Sequence, residues 1–328
     1  MAVSQEELQV QARRALAAWG LPDQQPELLK YRENAVFKVR LGDGGKAALR
    51  LHRPGYHSEA ALRSELLWMD DLRHNGLNVP QPVAALDGSL LVSLDGAEPQ
   101  YADLIGWVDG RQIGEGSKPL DRPAEEIAQI YHSLGAAMAK MHDVTDRWTP
   151  PPGFSRPAWD GRGLLGENPL WGRFWDCAGL SSADRAFLSG LRSRLQHRLA
   201  TVASALDCGL IHADLVRENV LVDGERVAMI DFDDCGYGFR LFDIATALLR
   251  GRRDPHYQLI EASLLAGYRA CRPLRDEALS HLPLFLLLRG LTYIGWVGDR
   301  PDLPDAAERM ARYVADVREL AALLEETA

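Results

Sequence analysis

The chain is short of cysteine, of positive charge and of long apolar runs, and each shortage excludes a class of protein. Its 328 residues include four cysteines, Cys177, Cys208, Cys235 and Cys271. They are widely spaced and form no Cys-x-x-Cys pair, which excludes a zinc ribbon or a disulfide scaffold. They read as reduced thiols of a cytoplasmic protein. Lys and Arg number 37 against 46 Asp and Glu, a formal charge of −9. That balance argues against a nucleic-acid partner and against anionic membrane surfaces, and it suits a cationic or neutral small molecule. No apolar run approaches membrane-spanning length. The opening MAVSQEELQVQARRAL reads as a polar amphipathic helix and not as a signal peptide. Repeats and low-complexity tracts are not evident. What remains is ordinary globular composition, 46% hydrophobic and 25% charged, with length enough for a sizeable core and two lobes. Oligomeric state is not legible.

The informative stretch is 210 to 234, LIHADLVRENVLVDGERVAMIDFDD. Leu210-Ile211 and Val220-Leu221-Val222 are strand-like, Asp223-Gly224 is a hairpin turn, and Val227 to Ile230 returns as the partner strand. His212-x-Asp214-x-x-x-x-Asn219 has the spacing of a kinase catalytic loop, and Asp231 follows on the next strand. Asp and Asn favour turns, so either fragment alone would be an ordinary acidic loop. Together they set a base and two oxygen ligands on one rigid hairpin. Magnesium needs only a few protein oxygens, because phosphates and water complete its octahedron. Asp214 precedes the hairpin, where it can orient an acceptor hydroxyl in line with a γ-phosphate. His212 is read as structural support for the loop. Asp243 has two readings, a helix N-terminal charge or a buried brace for that loop.

These residues resemble the aminoglycoside phosphotransferase and choline kinase superfamily. The likeness is greatest to the branch of type II homoserine kinases, hydroxylysine-kinase-like enzymes and the bacterial stress-response kinase. It runs from about residue 28 to 300 and is most specific at 210 to 245. It implies an α+β, bilobal protein-kinase-like fold, with a small antiparallel-sheet N-lobe and a larger, mainly helical C-lobe. It also implies ATP and Mg2+ as cofactors, Asp214 as base, and Asn219 and Asp231 as metal ligands.

Around this motif the chain reads in order. Ser4 and Glu7 form a capping box before a first helix. Three strands follow, Glu27 to Tyr31, Val36 to Leu41 and Ala47 to His52. Kinases place a glycine-rich loop after the first strand, but this chain has Arg32-Glu33-Asn34-Ala35. Asn34 is a candidate phosphate contact, and a plain hairpin turn is the alternative. On the third strand Arg50 stands where kinases use Lys; it can meet phosphate oxygens but is bulkier. Arg53 is a second candidate on the other strand face. Glu65, on a helix capped by Ser58, is its expected partner, ahead of Glu59 on register. A hairpin is expected about Asp87-Gly88, within 83 to 94. Leu104 to Gly110 resembles an inter-lobe hinge, with Trp107 and Val108 as adenine neighbours. The expected division is 1–106, the nucleotide-binding lobe, and 107–328, the catalytic and acceptor-binding lobe.

The C-lobe carries a helix from about Ala124 to His142 with a core stripe. An aromatic, Pro-rich insert at 145–180 reads either as a lid over the acceptor or as a loop anchored by its Trp side chains. Helices fill the chain after Asp243. Asp233, Asp234 and Arg217 are possible acceptor contacts, with Arg289, Trp296, Asp299 and Arg300 in reserve. Many protein kinases place a Lys two residues after the base, where this chain has Val216. Arg217 or the metal ions would take over that charge.

The leading functional expectation is an ATP- and Mg2+-dependent phosphotransferase acting on a hydroxyl of a small molecule. The acceptor would be an amino alcohol, a hydroxy amino acid or an aminoglycoside-like compound. The alternatives are a Ser/Thr protein kinase of the stress-response type and a nucleotide-binding pseudokinase.

Overall fold

The computed structural model describes residues 4–31, 34–94, 96 and 99–326. The chain divides into two compact units. The first comprises 1–111 with 147–156 and 228–233; the second comprises 112–146, 157–227 and 234–328.

In the first unit, α1 (Gln5–Leu16) starts at the expected capping box, Ser4 Oγ accepting from the Glu7 amide and Glu7 from the Ser4 amide. Its apolar face, Leu8, Ala12, Ala15 and Leu16, packs on Phe37, Val39, Leu49 and Leu51. Each leucine so covered contributes about 1.5–3 kcal/mol. Those partners lie on β2 (Asn34–Arg40) and β3 (Lys46–His52), preceded by β1 (Glu27–Tyr31). After α2 (Glu59–His74), β4 (Val92–Leu94) and β5 (Gln100–Gly106) complete an antiparallel sheet of order β1-β2-β3-β5-β4. Asp87-Gly88 does form a turn, Gly88 at φ 86°, but 83–86 is not a strand. β4 pairs with β5 instead.

Two later segments join this unit for visible reasons. Ser155 donates its amide to Ser64 Oγ, and Arg156 donates to the Ala61 carbonyl. Buried Phe232 lies edge-on to Trp68, with centroids 5.5 Å apart. The first compact unit thus runs to Arg111 and takes in both returns.

The second unit contains Gln112 of β6 (Arg111–Gln112) and most of α3 (Ala124–Arg147), then β7 (Ala158–Trp159), α4 (Gly161–Leu165) and α5 (Ser182–Val202). Next come β8 (Cys208–Ile211), β9 (Val220–Asp223) and the first half of β10 (Arg226–Met229), whose last two residues belong to the first unit, β9 and β10 turning at Gly224, φ 58°. β11 (Gly236–Phe239) runs antiparallel to β8 and parallel to β7. Helices α6 (Arg240–Leu249), α7 (Tyr257–Cys271), α8 (Asp276–Leu279), α9 (Leu282–Gly298) and α10 (Ala306–Glu326) close the unit. Contrary to the sequence expectation, the segment Asp276–Gly298 is long and apolar enough to cross a membrane. Of its most apolar 18-residue window 72% is buried within the chain, which is how a core helix packs.

Candidate active site

The catalytic-loop candidates assemble in the second unit. β8 delivers His212, Ala213 and Asp214, and a 3-10 turn at Arg217–Asn219 delivers the amide. Asn219 Nδ2 donates to both the carbonyl and Oδ2 of Asp214, each at 2.9 Å. With its nitrogen so committed, the Asn219 amide oxygen is the atom left to ligate a cation. Asp214 Oδ1 meets Nη2 of Arg289 at 2.5 Å. His212 is fully buried, and its Nδ1 accepts from the Asp214 amide at 3.3 Å.

The loop backbone is strained at Ala213, whose φ of 66° is left-handed. Such a conformation costs a non-glycine residue roughly 1–3 kcal/mol and persists where its surroundings enforce it. Asp243 does the enforcing. Wholly buried at the start of α6, it accepts from the amides of His212 at 3.0 Å and Ala213 at 2.7 Å, and from His142 Nε2 at 3.0 Å. Burial pushes its carboxyl upward, but the hydrogen bonds from His142 and the His212 amide hold it below the usual range. Of the two readings of Asp243, the geometry is that of the brace.

A second cluster lies in the first unit. Arg50 Nη1 meets Glu65 at 2.7 Å, as register suggested, while Glu59 pairs with Arg63. Arg53 is exposed and takes no part. The sequence reading missed Asp103, which takes Arg50 Nε at 2.8 Å and Nη2 at 2.9 Å, and His52 Nε2 at 2.6 Å. Burial opposes ionisation of Asp103, yet the charges of Arg50 and His52 hold its carboxyl below the usual range. A signal was present, a lone carboxylate in the apolar stretch Tyr101–Ile105, which β5 places opposite Arg50.

The same unit holds Asp231, also in the left-handed region at φ 67°, with its Oδ2 3.8 Å from Lys30 Nζ. Asn34 Nδ2 donates to Asp233 Oδ1 at 3.3 Å, and His57 Nε2 lies 3.4 Å from Asp233 Oδ2. Arg32 and Glu33 lie outside the described residues. Trp107 is half-buried, its amide donating to the Lys46 carbonyl and its ring under Lys38 Nζ at 5.2 Å. Val108 beside it is half-buried.

Two possible acceptor contacts have protein partners in the structure. Asp233 is buried, with Asn34 Nδ2 donating to Oδ1 and His57 Nε2 lying 3.4 Å from Oδ2. Arg217 is 3% exposed and serves as a strut, bonded to Asp254, the Tyr131 hydroxyl and the Lys118 carbonyl. Asp234 stays half-buried, with Oδ1 accepting from Trp171 Nε1 at 2.9 Å and its carbonyl from Trp159 Nε1. The insert at 145–180 thus splits. Trp159 is an anchor stacked on Phe242 at 5.3 Å, while half-buried Trp171 lies over Arg289, 4.4 Å from the guanidinium carbon.

With this geometry in place, known proteins give a consistent match. A family model described as phosphotransferase enzyme family matches residues 26–274. The solved structure of a microcompartment-associated aminopropanol kinase superposes with TM-score 0.82 at 32% identity, covering 96% of this chain and 97% of that one. An amicoumacin kinase solved with AMP-PNP, Ca2+ and Ami superposes at TM-score 0.73, covering 90% and 88%; at 22% identity it bears on the fold alone. A homoserine kinase of Rhizobium johnstonii is 30% identical over 220 residues, 66% of this chain and 62% of its own length. The chain therefore spans less than two thirds of that relative.

Proposed function

We propose, for a chain that belongs to the phosphotransferase enzyme family and is a small-molecule kinase acting on a hydroxyl, that the donor is ATP with Mg2+. The acceptor is a small amino alcohol or hydroxy amino acid. Similarity to an aminopropanol kinase and a homoserine kinase supports that acceptor class. The amicoumacin kinase of the same fold was solved with AMP-PNP and Ca2+, a triphosphate analogue with a divalent ion. Asn219 and Asp231 supply oxygen ligands of the hard kind that Mg2+ takes, and among the described residues no cluster of three or more His, Cys, Asp or Glu forms a cage of its own. When bound, the ion would neutralise developing charge on the phosphates. Arg50, fixed by Glu65 and Asp103, is assigned to the nucleotide phosphates, with Asn34 beside them and Trp107 and Val108 at the adenine.

The observation that carries this reading is the Asp214 carboxylate, held on one oxygen by Asn219 and on the other by Arg289. Asp214 accepts the hydroxyl proton as the new oxygen–phosphorus bond forms. A conventional protein-kinase reading finds no support in the chain after Asp231, because β11 and the start of α6 occupy the span where an activation segment would lie.

ADP release coupled to a colour reaction, run with homoserine, aminopropanol and an aminoglycoside, tests the proposal. Saturable turnover with one of the first two is expected, and Asp214→Asn should lower kcat by about 100-fold or more. ATP with Mg2+ at a hundred times Kd should stabilise both proteins by about 2.7 kcal/mol. If neither protein responds to ATP and Mg2+ in a thermal melt, the donor assignment fails. If Asp214→Asn turns over at the wild-type rate, the base assignment fails.

A further inference from the structure

The geometry points to Arg289, on α9, as a positioning residue for phosphoryl transfer that acts through the base Asp214. The inference rests on the reading of Asp214 as the base and adds to it a residue from a distant part of the chain.

Arg289 is 0% exposed. Its guanidinium carbon lies 4.4 Å from the Trp171 ring centroid, 4.6 Å from Tyr293 and 5.7 Å from Phe242. Its ion partner is Asp214, through Nη2 and Oδ1 at 2.5 Å, and the same nitrogen reaches the Tyr293 hydroxyl at 3.3 Å. Nε and Nη1 are buried without a hydrogen-bond partner. A fold seeking stability alone does not bury a guanidinium with two donors unmet, because each unmet donor costs free energy that an apolar side chain would not. The three rings instead clamp the guanidinium so that one edge is aimed at one carboxylate oxygen. The base is the partly exposed member, with 21% of its side chain accessible beside a wholly buried cation.

The consequence for the reaction is specific. Arg289 occupies Oδ1 and fixes the rotamer of Asp214. Oδ2 takes one hydrogen bond from Asn219 and keeps a second lone pair for the acceptor hydroxyl. In the transfer the acceptor oxygen bonds to the γ-phosphorus, the bond from that phosphorus to the bridging oxygen breaks, ADP leaves, and the hydroxyl proton passes to Oδ2. Arg289 keeps Asp214 aimed without touching the substrate.

The test compares Arg289→Met, Arg289→Lys, Asp214→Asn and the Asp214→Asn/Arg289→Met double variant. ADP release is followed with homoserine, with aminopropanol, and with water as the sole acceptor. Arg289→Met leaves a partly exposed Asp214 without its ion partner and is expected to melt somewhat below the wild type, yet to keep its KM for ATP within roughly threefold and to lose kcat by about 100-fold. Arg289→Lys should recover part of that loss, because it restores a charge but not the planar fork. Adding Arg289→Met to Asp214→Asn should cost no further rate, the signature of a residue that acts through the base. Wild-type kcat in Arg289→Met overturns the inference, as do equal losses in the Met and Lys variants that follow a fall in melting temperature. Turnover surviving in Asp214→Asn removes the base itself and this inference with it, whereas a dead Asp214→Asn beside a fully active Arg289→Met removes Arg289 alone.

Discussion

Arg50 shows how one residue exchange draws in others. Its Nε and Nη2 go to Asp103 and its Nη1 to Glu65, so two carboxylates face one guanidinium and His52 meets the outer oxygen of Asp103. A lysine at this position would present a single nitrogen, for which Glu65 alone would suffice; the planar fork of arginine needs a second carboxylate to fix its roll. Asp103 is therefore expected to orient the cation as well as neutralise it. Asp103→Asn should cost on the order of 3 kcal/mol in urea unfolding, because a buried pair is broken on one side. It should also raise the KM for ATP while leaving kcat at saturation within a few-fold. An unchanged KM would show that Arg50 is oriented without Asp103. The pair Arg50–Glu65 was legible from strand register and helix phase. Asp103 was not, because its partnership depends on which strand lies beside β3, and β5 is far along the chain. Arg289 was out of reach for a similar reason. A sequence shows an arginine on an apolar helix but not which carboxylate lies opposite.

At the scale of elements, the hairpin β9–β10 and the first three strands could be read from alternation and turn residues, which are local signals. The short pair β7–β11 could not. Two-residue β7 has no periodicity, and β11, Gly-Tyr-Gly-Phe, pairs on both sides only because its glycines admit close neighbours. A Cβ on Gly238 would lie 2.9 Å from Trp159 Cβ. The crossing of α3 and α7 follows the same logic on helices. A Cβ built on Gly267 would strike the His132 carbonyl, and one on Gly135 the Leu264 carbonyl, so each glycine makes room for the opposite backbone. Gly267→Ala, elsewhere on a helix a gain in propensity, should here cost about 3 kcal/mol through overpacking. Urea unfolding at constant m-value checks this, and a stabilised Gly267→Ala would mean that the helices separate at little cost.

For the whole molecule, the pH response is set less by the surface ion pairs than by the buried polar knot beneath the catalytic loop. Exposed pairs such as Arg63–Glu59 are worth about 0–1 kcal/mol each. His142 differs. It is buried between Tyr268, whose hydroxyl lies 2.9 Å from Nδ1, and Asp243, 3.0 Å from Nε2, contacts that the neutral Nε2–H tautomer satisfies. Burial, then the nearby charge of Arg240 with a smaller one from Arg272, lower its pKa from the ordinary 6.5 to about 4, against the pull of Asp243. Because the folded value lies below the unfolded one, the unfolded chain takes up this proton first as pH falls. The contribution is complete above pH 6.5 and is lost as pH drops toward 4, about 3 kcal/mol in all. Asp243 also holds the strained backbone before Asp214, so the loss should appear in the catalytic loop before global unfolding. His142→Gln keeps a donor for Asp243 but cannot be protonated. The difference in unfolding free energy between wild type and this variant, measured at pH 7 and pH 4.5, should therefore shift by up to about 3 kcal/mol in favour of the variant at the lower pH. Parallel pH profiles for the two proteins would place the acid sensitivity elsewhere, among carboxylates that both share.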